Sequence, residues 1–155
     1  MYKAVFFQDK SEYYCDDELL FTVKRKRLLL GIRNICKAYI NNDLIFSFYS
    51  SEFTFLYWKL NILTQKLAKK ISLKKDKNSY SLVLDQKSLT LKFTSNPFKK
   101  MIARIYLEGI CICEIEKEEK NSKTYFNFIF SEKAELEYYA LVLFSMYSVG
   151  ITDSV

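Results

Sequence analysis

Histidine is missing from all 155 residues. That excludes a Ser-His-Asp or Cys-His arrangement and a two-histidine facial metal triad, and it removes the commonest general base. Three glycines and one proline leave no material for a flexible linker or a glycine-rich phosphate loop. No secretory signal is expected, because the apolar run after Lys3 ends at Phe7, before Gln8 and Asp9. No run reaches the roughly 20 apolar residues of a spanning helix. The expected location is therefore cytoplasmic, with any membrane attachment peripheral. Cysteine is sparse too: Cys15, Cys36, Cys111 and Cys113 are scattered and read as reduced, packed thiols. Cys111 and Cys113 lie two apart in a strand-like run and are expected on one face. Without histidine or a second cysteine pair, that spacing points to packing before zinc.

What is present is apolar and aromatic. Half of the residues are hydrophobic and 17% aromatic, with 13 Phe and 12 Tyr, so the chain folds, and its length suits one domain over residues 1–155. From Tyr80 onward the residues alternate with period two. Leu82 and Leu84 form one strand, and Leu89, Leu91 and Phe93 another, joined at Asp85-Gln86-Lys87. Met101 to Leu107 and Ile110 to Lys117 follow as a hairpin about Glu108-Gly109, with Gly109 supplying the positive φ. A polar loop is expected from Glu118 to Lys123, and then a strand whose Phe126, Phe128 and Phe130 share a face.

In the N-terminal half, Tyr2–Phe7, Leu19–Lys24, Leu28–Arg33, Ile35–Ile40 and Leu44–Tyr49 are strand candidates, with a turn at Asn41-Asn42-Asp43. The segment Phe53 to Lys70 fits two periods. Phe53, Leu56, Leu60, Leu63 and Leu67 fall at helical spacing, whereas Leu56, Trp58, Leu60 and Ile62 alternate; its length and terminal lysines favour an additional helix near 53–69. Ile71 to Lys75 is then a short strand, and Asp76 to Ser79 a turn.

The last segment, Glu132 to Val149, predicts a helix. Ser131 is a candidate cap, Glu132, Glu135 and Glu137 supply early negative charge, and Gly150 a stop. Between Tyr138 and Val149 only Ser145 and Ser148 are not apolar, so the helix is hydrophobic all round and belongs in a protein core.

A strand meander ending in an apolar helix resembles the tubby-like C-terminal fold, shared by tubby proteins, LURP-one-related proteins and phospholipid scramblases. The resemblance rests on Tyr80 to Asp85, the hairpin Ile105 to Lys117, the strand Tyr125 to Phe130 and the helical stretch Glu137 to Phe144, about half of the chain. It implies a mainly β fold, an antiparallel barrel of about twelve strands around a central, buried C-terminal helix. Such a helix leaves little lumen for a small apolar ligand. Tubby proteins bind phosphoinositides through surface basic residues, but no residue of that site transfers to this chain.

Chemistry is thin. Asp16-Asp17-Glu18 reads as a solvated turn, and Glu114, Glu116, Glu118 and Glu119 as an outward strand face running into a loop. No catalytic residue, metal or cofactor is expected. Two basic clusters remain: Lys24, Arg25, Lys26 and Arg27; and Lys66, Lys69, Lys70, Lys74, Lys75 and Lys77. With a net charge of +6 they suggest a non-enzymatic peripheral module for anionic lipid headgroups or an acidic protein partner. The alternatives are a structural domain of a larger assembly and solvated lysines that protect strand edges. Nucleic acid ranks below these, since most aromatics are needed for the core.

Overall fold

A computed structural model of the chain describes residues 1–29, 32–53, 57–77, 79–94, 99–131 and 136–147. The strands are β1 (Tyr2–Phe6), β2 (Lys10–Cys15), β3 (Glu18–Leu28), β4 (Arg33–Ile40), β5 (Asp43–Phe53), β6 (Tyr57–Gln65), β7 (Ser72–Asp76), β8 (Ser79–Leu84), β9 (Lys87–Phe93), β10 (Met101–Leu107), β11 (Ile110–Lys120) and β12 (Lys123–Phe130). Helix α1 spans Glu137–Tyr147. All twelve strands form one antiparallel sheet in the order β6-β5-β4-β3-β2-β1-β12-β11-β10-β9-β8-β7, curled into a nearly closed barrel around α1.

With few glycines, tight hairpins are made by polar residues. Asp16-Asp17, Asn41-Asn42, Asp85-Gln86, Glu108-Gly109 and Asn121-Ser122 all have positive φ at both positions, the geometry of turns that match strand twist. The Asn121-Ser122 turn revises the expected loop from Glu118 to Lys123: β11 runs on to Lys120, and the connection is two residues long.

The helix expected near 53–69 is not formed. Among the described residues of that stretch, Phe53 ends β5, Tyr57–Gln65 is β6, paired antiparallel with β5, and the residues after Gln65 are connection. Period two prevails because β5 offers a complementary face: Leu60 and Ile62 point inward beside Phe48, while Leu63, needed for a helical stripe, is 53% exposed. Leu56 and the side chain of Trp58 lie outside the described residues. Leu28–Arg33 is likewise no strand of its own among the described residues: Leu28 ends β3, Leu29 has φ 49°, and Arg33 begins β4, while Leu30 and Gly31 lie outside them. The strand β2 carried no expectation.

Along α1 every residue from Tyr139 to Met146 is buried. Phe144 touches the rings of Phe6, Phe126 and Phe128, and Tyr138 meets Phe21 edge-on. Each large side chain so covered is worth about 1.5–3 kcal/mol. Ser145 stays satisfied by donating to the Val142 carbonyl of its own helix, at 2.6 Å. Ser131 does not cap α1; it follows β12, six residues before Glu137, and its hydroxyl and its N–H both donate to the Ile112 carbonyl of β11. Glu132, Glu135, Ser148, Val149 and Gly150 lie outside the described residues.

The edge strands β6 and β7 are consecutive in the chain. At their junction the Gln65 side-chain amide accepts from the Ile71 N–H and donates to the Ile71 carbonyl, both at 2.8 Å, so a side chain stands in for a ladder pair. Two helix tyrosines fasten the same side. The Tyr139 hydroxyl accepts from the Lys69 N–H, and the Tyr147 hydroxyl accepts from the Tyr80 N–H and donates to the Tyr80 carbonyl.

Candidate functional site

Consecutive strand residues face opposite sides of the sheet, and this divides the first basic cluster. Lys24 and Lys26 are outward and exposed, whereas Arg25 and Arg27 share the face of their cross-strand partners Cys36 and Asn34, both buried. Arg25 donates to the Gln8 carbonyl at 3.3 Å.

The second cluster is also dispersed. Lys66, Lys69 and Lys70 belong to the β6–β7 connection, and Lys69 is ion-paired to Asp85 at 2.7 Å. On β7, Lys74 faces out; Lys75 turns to the other side, its ammonium 5.8 Å from the Tyr80 ring centre. Lys77 sits in the next turn with φ 43°.

What the barrel does bring together is a row of lysines that sequence reading did not group. Cross-strand register places Lys120 opposite Lys123, Lys10 opposite Lys24, and Lys24 opposite Lys37. Phe7 bridges the gap between Lys123 and Lys10. Its N–H donates to the Lys10 carbonyl, and its ring lies 4.7 Å from the Lys10 ammonium and 5.4 Å from that of Lys123. The result is an outward stripe of five exposed lysines with half-buried Phe7 among them, Lys120–Lys123–Phe7–Lys10–Lys24–Lys37, crossing six strand positions. Like charges directly opposite on paired strands are destabilising. Aromatic faces offset part of that cost: Lys24 stands 5.4 Å from the Tyr39 ring centre.

Acids border the stripe. Glu12 takes a 2.7 Å bond from Lys10 and another from the Tyr14 hydroxyl. Partial burial pulls the Glu12 carboxyl upward, but those two donors and the Lys123 charge hold it below its ordinary value. The same bond, with burial, pushes the Tyr14 phenol up to about 12.

The cysteine pair is not on one face. The register shift between Ile105 and Tyr106 puts Cys113 opposite Ile105 and Cys111 opposite Tyr106, so a bulge at Ile112 separates them. All four cysteines are free; burial pushes the Cys36 and Cys113 thiols up to about 12, the opposite of what a metal-binding thiolate needs.

A groove of about 490 Å³ opens where β8 and β9 part beyond the Ser81–Thr90 pair. It is bounded by Ser79, Lys92, Phe93 and Tyr106, with Tyr147 also in its lining.

No protein-family model, curated protein or solved structure matches this chain.

Proposed function

We propose that this domain is a peripheral binding module for an anionic partner, acting without catalysis. The stripe of five exposed lysines carries this reading, because register sets like charges side by side at a cost in stability that an anionic partner reverses. The interior argues the same way, since α1 occupies the barrel and leaves the outer wall as the surface available for recognition. Among the described residues, no helix is long and apolar enough to cross a membrane, in keeping with peripheral attachment. Anionic lipid headgroups and an acidic protein are the partners expected from composition, in a cytoplasmic setting. Kinship with tubby-like and LURP-one-related domains belongs to the same proposal, supported by twelve antiparallel strands around a C-terminal apolar helix.

The test compares two variants of equal charge. In one, Lys10, Lys24, Lys37 and Lys123 become glutamine; in the other, Lys66, Lys70, Lys74 and Lys77 do, and each falls from +6 to +2 (6 − 4). Heparin-affinity elution and co-sedimentation with phosphatidylserine vesicles should show selective loss in the stripe variant. Equal loss in the two would reduce the effect to net charge and remove the stripe as a site.

A further inference from the structure

The stripe runs across the strands rather than along them, and the sheet it crosses is bent around a helix. Five inter-strand steps of about 4.8 Å give a path of roughly 24 Å. If twelve strands make one circuit, each step turns about 30°, and the five steps from β11 to β4 sweep roughly 150°. Lys120 and Lys37 therefore point in widely divergent directions. A plane laid against this surface meets roughly two or three of the five lysines at once. A flexible chain that follows the curve meets all of them.

The chemistry of the row narrows the partner further. Every cation in it is lysine, a compact point charge with no preference for a planar, two-oxygen acceptor, whereas arginine is the residue that matches carboxylates in a forked pair. The two arginines of β3, Arg25 and Arg27, are turned to its other face. Phe7 is held between two ammonium groups and the Tyr39 ring lies against the Lys24 ammonium, so both rings are already engaged by cations. Recognition would then read repeated charge along a backbone and ignore what the backbone carries.

We infer that the stripe binds a linear, flexible phosphate chain laid across β11, β12, β1, β2, β3 and β4, with the lysines contacting successive phosphates. This rests on the anionic-partner reading above and narrows it to one chemistry, which single-stranded nucleic acid and inorganic polyphosphate share.

Counterion release makes the inference quantitative. Five phosphate contacts to a single strand give a slope of log affinity against log salt of about −3.5, so affinity falls roughly 100-fold between 50 and 200 mM salt. The experiment is fluorescence anisotropy of the full chain with a labelled 12-nucleotide oligo-dT over that salt range. Oligo-dC and polyphosphate serve as competitors, and phosphatidylserine vesicles and poly-glutamate as separate arms. Lys24→Gln with Lys37→Gln removes two contacts and should bring the slope to about −2, a loss of roughly 20-fold over the same range. The thermal transition of the double variant verifies its fold. Oligo-dC and polyphosphate should both displace oligo-dT, and the tighter competitor at equal charge identifies the source. An unchanged slope in the double variant, or failure of polyphosphate to compete, would overturn the inference. Stripe-dependent binding to vesicles or poly-glutamate with none to oligo-dT would overturn it too, while leaving the anionic-partner reading intact. Absence of binding in every arm would remove both.

Discussion

Removing one oxygen from the helix end probes how the barrel wall is held. The Tyr147 hydroxyl makes two bonds to the Tyr80 backbone, at 2.8 Å from the N–H and 2.6 Å to the carbonyl, one residue beyond the last β8–β9 pair. Tyr147→Phe keeps the ring against Phe93 and deletes both bonds. Each is worth about 0.5–1.5 kcal/mol net, so the cost should be about 1–3 kcal/mol. The lower half of that range is favoured because the adjacent groove admits water to the freed groups. For a chain of this size the melting temperature should fall by roughly 2–10 °C. Tyr139→Phe, which loses only the bond from the Lys69 N–H, should cost about half as much. Urea denaturation gives the energies, and amide exchange at Tyr80 locates the effect. If Tyr147→Phe leaves both the urea midpoint and Tyr80 exchange unchanged, the hydroxyl does not pin β8, and the wall is held by packing alone.

Leu143, fully buried in α1, should not tolerate a carboxylate: Leu143→Asp is expected to abolish the cooperative thermal transition, and a cooperatively folded variant would show α1 to be dispensable. Burial pushes Cys36, Cys113 and Tyr138 up to about 12, and the bond to Glu12 does the same for Tyr14. Raised values favour the protonated forms in the fold, so stability should hold below the unfolded values of about 8.5–10 and decline as pH rises from there toward 12. A urea midpoint unchanged between pH 8 and pH 11 would contradict this. Gln86 has φ 63°, where a side chain costs about 1–2 kcal/mol, against about 0.5–1 kcal/mol of extra entropy loss for glycine. Gln86→Gly should therefore raise the melting temperature by about 1–3 °C, and a drop in calorimetry would mean that the side chain compensates locally.

The fold was legible wherever alternation met a turn. Met101 to Leu107 matched β10 residue for residue, and the apolarity of Tyr138 to Met146, broken only by Ser145, announced a helix with no solvent face. The segment at Tyr57–Gln65 was illegible because Leu60 satisfies both periods, and only pairing with β5 decides between them. The lysine stripe was hidden for a different reason. Between Tyr13 and Tyr14 the β2–β3 register shifts by one, which sets Lys10 opposite Lys24; unshifted pairing would have set it opposite Val23. A bulge leaves no compositional trace here, and basic neighbours such as Lys24 and Arg25 group together in sequence although the pleat sends them to opposite sides.

The sheet order also bears on how the chain is made. Every pairing but β1–β12 joins consecutive strands, so β1 to β6 form one continuous meander that is complete long before β12 and α1 exist. During synthesis that first half emerges with Phe21, Phe46 and Phe48 on a face that nothing yet covers. At about 5–20 residues per second, the remaining residues follow within roughly 4–18 seconds, and for that interval the nascent half-barrel is an open apolar trough. A chain truncated after β6 should thus be captured by holdase chaperones, and the full-length chain released from them only after α1 has left the ribosome.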